Sequence, residues 1–321
     1  MKLLLWLVLL ASGVFGAEVR HQKAPAKLAV AIRYLIPKGV SHSHVYLYRE
    51  DGKLLRQLTK DDSGQDRDPF FSPDGTAIVF TRDLKKALEF WSVDPLGGNL
   101  RKLDEAPEWY ANAKNAPCFG PRVVNPITDE SAPPQKLTTP DGAKEIILRT
   151  EDEDFKGDDG QGRGRHFILR DVRSGRRWEM GKFPGFFGLA WPITLDTDPK
   201  FIFLIHPTCR IAFFDLHLNS GQGETIFAVD LNARRVVRLS PNWATPFPLP
   251  GEPAFITFTY VRYLPIPGTK MTADCSYLDR WDATLKKVRY ADEGSAAILY
   301  GGSMYRPGRE PATIYIQKDP D

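Results

Sequence analysis

Phe70-Phe71-Ser72-Pro73-Asp74-Gly75-Thr76-Ala77-Ile78-Val79-Phe80-Thr81 reads as a strand, a tight turn and a second strand. Proline presets φ for the turn, aspartate accepts from nearby backbone amides, and glycine takes a positive φ without steric cost. The aromatic and β-branched residues on either side suit a pleated, half-buried surface. Thr139-Pro140-Asp141-Gly142 repeats the turn and is followed by a second apolar run at residues 145–149. Residues 201–205, 254–260 and 296–300 are further apolar strands of the same kind.

Between these strands a hairpin pattern recurs five times. Its copies are residues 45–58, 90–103, 167–178, 225–239 and 276–290, each a β-rich run, an acidic or Gly-bearing turn, and a basic-and-apolar strand. Such a unit cannot bury its apolar face alone, whereas copies stacked around an axis can. The predicted fold is therefore all-β, a β-propeller of about six four-stranded blades. The early strand at residues 28–35 lacks an inner neighbour, and the run Thr313-Ile314-Tyr315-Ile316-Gln317 looks like a third strand with no fourth after it. Both gaps predict that strands from the two ends of the chain share one sheet, which hides their edges.

The segment from Leu54 to Leu103, with Arg56-Gln57-Leu58-Thr59, Ser72-Pro73-Asp74-Gly75, Ile78-Val79-Phe80-Thr81 and Trp91-Ser92-Val93-Asp94, resembles the TolB-type propeller repeat. The resemblance implies about six blades. It extends to Thr139-Pro140-Asp141-Gly142, while later copies keep only the strand rhythm. The repeat begins soon after the N-terminal apolar run, leaving no TolB-like N-terminal α/β domain before it. That departure weakens any transfer of TolB's role in cell-envelope integrity.

Lys2 precedes Leu3-Leu4-Leu5-Trp6-Leu7-Val8-Leu9-Leu10, and small residues follow to Gly16 and Ala17. This is the pattern of a secretory signal, too short for a comfortable membrane span. Residues 1–17 are read as the signal peptide and 18–321 as the propeller, placing the mature protein in the periplasm or outside the cell with no stable membrane span. The chain has 43 basic and 40 acidic residues, a formal net charge of +3, so electrostatics gives no case for a nucleic-acid partner. Gly and Pro number 26 each, in keeping with a turn-rich β chain. Cys118, Cys209 and Cys275 allow one disulfide with a thiol left over, or three buried thiols.

Propeller ligands engage one face, built by the segments leading into inner strands and the loops joining second to third strands. In the best copy those are residues 61–68 and 82–86, giving Asp66, Arg67, Asp68 and Arg82 as candidate binding residues. His42 and His44 alternate, so a strand puts both on one side, and His206 occupies a broadly corresponding place in another copy. Two or three imidazoles could form part of a metal site, although no carboxylate spacing accompanies them and local hydrogen bonding explains them as well. The acidic run at residues 151–160 lacks calcium-loop spacing and reads as a solvated loop. Trp109, Tyr110, Phe186, Phe187, Trp191 and Trp243 could stack on sugars or anchor a partner, and read better as core between blades. There is no Gly-x-Ser-x-Gly nucleophile elbow.

The expectation is a binding or scaffold module of the bacterial envelope, engaging a protein or a glycan, with no cofactor and no resident metal. The alternative is a metal-dependent carbohydrate-active enzyme using His42, His44 and His206.

Overall fold

The computed structural model describes residues 25–115, 125–127, 135–151, 164–182, 201–205, 208–217, 224–240, 243–249, 252–292 and 294–315. The chain begins with β1 (Lys27–Tyr34), β2 (Ser43–Arg49) and β3 (Leu54–Gln57), then β4 (Gln65–Phe71), β5 (Ile78–Asp83), β6 (Leu88–Val93) and β7 (Arg101–Leu103). The short helix α1 (Glu108–Asn115) leads to β8 (Asn125–Ile127), β9 (Gln135–Thr138), β10 (Lys144–Glu151), β11 (Gly164–Asp171) and β12 (Arg177–Lys182). Next come β13 (Phe201–Ile205), β14 (Ile211–His217), β15 (Glu224–Asp230) and β16 (Arg235–Arg238). The last strands are β17 (Trp243–Pro248), β18 (Phe255–Pro265), β19 (Thr272–Trp281), β20 (Lys287–Arg289), β21 (Ala297–Tyr305) and β22 (Ala312–Tyr315).

Among the described residues these strands form five antiparallel sheets, ordered β22-β21-β1-β2-β3, β4-β5-β6-β7, β9-β10-β11-β12, β8-β13-β14-β15-β16 and β17-β18-β19-β20. All five hairpins legible in the sequence are present, as β2–β3, β6–β7, β11–β12, β15–β16 and β19–β20. The two ends of the chain do share a sheet, with β21 filling the place beside β1.

Three elements depart from expectation. Residues 201–205 form the inward neighbour of β14, a strand with no visible signal before it. Its entry turn, Thr208-Cys209-Arg210, has no Gly, Asn or Asp, and Cys209 itself takes the left-handed φ of 54°. The helix α1 lies in the long connection, and its Tyr110 ring packs edge-on to Phe70 and Phe90. The final strand, β22, is an edge strand outside β21, and it is β21 that completes the sheet around β1.

The turn chemistry is the same in both Pro-Asp-Gly copies. The Ala77 amide donates to Ser72 Oγ at 2.9 Å, Ser72 Oγ donates to Asp74 at 2.6 Å, and the Thr76 amide donates to the same carboxylate at 3.1 Å. In the second copy Thr139 replaces the serine: the Lys144 amide donates to its hydroxyl at 3.0 Å, and the Ala143 amide donates to Asp141 at 3.0 Å. Gly75 takes φ +71°, and a Cβ there would come within 2.2 Å of the Tyr305 ring, so the position requires glycine twice over.

The period of two along β1 explains how sheets stack. Leu28, Val30 and Ile32 pack with Ile256, Phe258, Tyr277 and Leu278 of the β17–β20 sheet. Ala29, with Val45 and Leu47 of β2, packs against Phe71, Ile78 and Phe80 of the β4–β7 sheet. The sheet that holds both chain ends is thus covered on each face by a neighbour, one early and one late in the chain. Ile211, Phe213 and Ala228 likewise meet Phe255 and Trp281, joining the β13–β16 sheet to the β17–β20 sheet.

Hydrogen bonds from Ser72 and Thr76 hold the Asp74 carboxyl below its usual 3.8, and Thr139 and Ala143 do the same for Asp141. A carboxyl depressed in the folded chain contributes stability above its unfolded pKa and loses it as pH falls through the folded value. We expect the melting temperature to hold down to about pH 4 and to fall below it. The double variant Asp74→Asn/Asp141→Asn should melt lower at neutral pH and show a shallower acid slope. A pH series of thermal melts on both proteins checks this.

Candidate functional site

Strand direction sets which residues meet at the predicted ligand face. The turn between β1 and β2, the connection into β4, the β5–β6 turn, the β18–β19 hairpin and the connection into β21 emerge together. Ser43 and Ala297 flank the end of β1, Gln65 pairs with Asp83, and Gly268 of the β18–β19 hairpin lies against Pro37. His42, His44, Asp66, Arg67 and Arg82 gather on this end, in the seam between the β1–β2 and β4–β5 strands. His206 lies outside the described residues, as do the acidic run beyond Glu151, Cys118, Phe186, Phe187, Trp191 and the signal segment.

At the centre of the seam is a buried ion pair. Arg82 donates from Nε to Asp66 Oδ1 at 2.7 Å and from Nη2 to Oδ2 at 3.2 Å, while Nη1 reaches Asp61 at 2.6 Å. Asp66 is fully buried and Arg82 nearly so. The guanidinium also lies 4.7 Å over the Trp91 ring, which covers its face with π density. Burial opposes both charges. For Arg82 the hydrogen bonds and charge of Asp66 outweigh it and hold the guanidinium above its usual value. For Asp66 burial is the larger effect, raising the carboxyl against the pull of Arg82 and Thr59.

The histidines serve the same seam. His42 Nδ1 donates to the Gly64 carbonyl at 3.0 Å, and His44 Nε2 is 3.2 Å from Asp62. Between them Ser43 donates from its hydroxyl to the Asp66 carbonyl at 2.7 Å and from its amide to Gln65 at 2.8 Å. Arg67 pairs with Asp83 at 2.9 Å and lies over the Tyr300 ring. Asp68 adopts a left-handed φ of 48° and accepts a hydrogen bond on its carbonyl from Tyr110 at 2.9 Å. A Cβ on Gly301 would come within 2.7 Å of the Asp68 Cα, so the inner strands β4 and β21 approach closely there only because residue 301 is glycine.

Alternation predicted the shared side of His42 and His44, and residues 61–68 belong to the predicted face, but nothing in the sequence singled out Asp61 or Asp62 within it, or pointed to Arg33 and Ser41. Arg33 donates to Ser41 Oγ at 2.8 Å, and the two aspartates precede β4 on an ordinary polar loop. Arg33 and Ser41 meet across the β1–β2 turn, Asp61 meets Arg82 of β5, and Asp62 meets His44 of β2, contacts between separate segments that no local pattern records. Among the described residues no three His, Cys, Asp or Glu side chains converge as a metal-binding group. Cys209 and Cys275 are not joined to one another, and burial pushes the Cys275 thiol up.

No protein-family model matches the chain. Among solved structures it is similar to TolB from Acinetobacter baumannii, at 11% identity over 86% of this chain and 66% of that one, with a TM-score of 0.33. It is also similar to Kuenenia stuttgartiensis hydrazine synthase, at 12% identity over 92% of this chain and 47% of that one, with a TM-score of 0.33. A third is the β-propeller domain of the Trilobed protease from Pyrococcus furiosus, at 12% identity, covering 80% and 72% of the two chains, with a TM-score of 0.29. This chain spans less than two thirds of the length of the first two. Likeness at this level assigns no site and no activity.

Removing one partner of a buried ion pair strands the other charge, at a cost of about 3–5 kcal/mol. Arg82→Leu should therefore lower stability by about that amount, whereas replacing both Asp66 and Arg82 by apolar residues of similar size should recover much of it. His44→Gln, which touches an exposed carboxylate, should cost under about 1 kcal/mol. Urea denaturation midpoints of the three variants check the order.

Proposed function

We propose that the protein is an exported TolB-like β-propeller of about six four-stranded blades. Residues 1–17 are a cleaved signal peptide and residues 18–321 the propeller. It binds an envelope protein or a glycan, in the periplasm or outside a bacterial cell, on the end where His42, His44 and the Asp66–Arg82 pair lie, and it performs no covalent chemistry.

The observation that carries this reading is that the polar side chains gathered at that end are engaged with one another. Arg82 is shared between Asp66 and Asp61, His44 meets Asp62, and His42 meets Gly64. The Arg82 contacts brace β4, β5 and the connection before them, while those of His42, His44 and Ser43 tie the β1–β2 side to that segment, which suits a rigid recognition surface. General acid–base work asks instead for a group within reach of a reacting proton. The joining of early and late strands in one sheet supports the ring, since it leaves β1 no open edge.

The test is binding and turnover on the mature protein. Immobilised protein should retain a protein or a glycan from envelope extracts and polysaccharide arrays, saturably, with loss of binding in Arg67→Glu and no change in the chain length of any retained polysaccharide. Turnover that disappears in His42→Ala or His44→Ala, together with about one transition metal per chain surviving dialysis, overturns the proposal. That outcome points instead to a metal-dependent carbohydrate-active enzyme using His42, His44 and His206.

A further inference from the structure

A second feature of the same end has no counterpart among the sequence motifs. Between the β18–β19 hairpin and the connection from β20 to β21 is a pocket of about 410 Å³, walled on one side by Leu264, Pro265 and Pro267. Tyr277 and Arg289 line it, and Asp292 and Ser295 form its rim. Pockets of this size, mainly apolar with a few fixed polar groups, are the usual form of a ligand site.

The polar groups are held in place from behind. Arg289 donates to both oxygens of the fully buried Asp279, at 2.7 and 2.9 Å, and its guanidinium stacks 3.8 Å from the Tyr277 ring centroid. Asp279 accepts in turn from Thr259 at 2.9 Å, Thr259 lies 3.1 Å from Thr257, and Thr257 accepts from Trp281 at 3.0 Å. The rim is tied as well. The Tyr277 hydroxyl donates to the Ser295 carbonyl at 2.7 Å, and the Asp292 amide donates to the Tyr34 hydroxyl at 3.1 Å. Two of the three guanidinium nitrogens are thus committed, and among the described residues Nη1 is left for an acceptor.

We infer that this pocket takes one bulky apolar side chain from an extended, uncharged segment of a partner protein. The inference rests on the protein-binding half of the proposed function and selects it over the glycan half. Asp279 compensates the Arg289 charge and Asp292 adds a negative one, so the lining has nothing to draw an anion. An apolar hollow flanked by one donor and one acceptor matches a single residue of an extended chain. Its side chain fills the hollow, its carbonyl accepts from Arg289, and its amide donates to Asp292. A saccharide presents hydroxyls on all sides, and the Leu264–Pro265–Pro267 wall has no partners for them. The surroundings agree: Val40, Tyr263 and Met271 are 66%, 73% and 56% exposed, on the β1–β2 turn and the β18–β19 hairpin at the same end of the molecule. An apolar anchor pocket with exposed apolar residues at the same end is how protein interfaces concentrate their binding energy.

The test uses random twelve-residue peptides displayed on phage, selected on the full mature protein. The selected peptides are then synthesised with acetylated and amidated ends. The expected result is a shared bulky apolar residue at one position, few acidic residues, and hydrogen-exchange protection of residues 289–295. Affinity should fall about tenfold or more in Pro267→Glu, which puts a charge in the wall. It should be unchanged in Leu96→Glu, which removes an exposed apolar residue from the opposite end. Pro267 is exposed, so its replacement tests the pocket without touching the core. Peptides that bind equally well to Pro267→Glu overturn the pocket while leaving a protein-binding surface elsewhere. Recovery of no peptide, with neutral oligosaccharides protecting residues 289–295, overturns the pocket's occupant and returns the surface to glycans.

Discussion

The pairing of β1 with β21 is the contact on which the other sheets depend. β1 is apolar on both faces and has hydrogen-bonding groups along both edges, so it is stable only when enclosed on every side. β2 satisfies one edge and β21 the other, and the two faces are covered by the β4–β7 and β17–β20 sheets. Removing β21 would expose an edge and also break the join between the earliest and latest sheets. The Ser303 hydroxyl shows how tightly that join is made, donating to the Pro69 carbonyl at 2.7 Å while accepting from the Phe71 amide at 3.2 Å.

Polar groups do at the seams what apolar side chains do within them. Toward the end that carries His42 and His44, Ser43 and Gln65 stitch β2 to β4, and the Asp66–Arg82 pair fixes β4 to β5. Toward the other end, Arg306 bridges Glu50 at 2.9 Å and Glu252 at 2.8 Å, tying the chain-end sheet to the turn before β18. Tyr290 adds a hydrogen bond from its hydroxyl to the Glu50 carbonyl at 2.8 Å. Apolar layers alone would permit neighbouring sheets to slide, since burial has no direction. Hydrogen bonds of fixed geometry select one register, and the end that carries His42 and His44 inherits its shape from them.

The strand rhythm was legible because turns with a chemical mechanism punctuate it. Pro73-Asp74-Gly75 and Pro140-Asp141-Gly142 mark their turns in the side chains themselves, and the five hairpins carry aspartate or glycine at the bend. β14 went unseen because Cys209 adopts a left-handed conformation with nothing in its type to announce it. The candidate site divides on the same principle. Alternation along one strand put His42 and His44 on one side, and strand-to-turn position nominated Asp66 and Arg82. The partners Asp61 and Asp62, and the pocket of Tyr277, Arg289 and Asp292, arise where separate segments converge. No single stretch of chain encodes that convergence.

The pairing of β1 with β21 has a temporal side. Lys27 pairs with Tyr305 and Tyr34 with Ala297, so the first strand waits for nearly the whole chain before its second edge is matched. Loop-closure entropy rises only slowly with separation, yet contacts of such long range must wait for the intervening sheets to order, which makes them late steps in folding. Until β21 arrives, β1 offers bare amides and carbonyls flanked by Leu28, Val30 and Ile32, a template on which another unfinished chain could pair. The same join that protects β1 in the folded chain therefore makes the half-made chain the vulnerable species, and favours a folding environment in which nascent copies are kept apart.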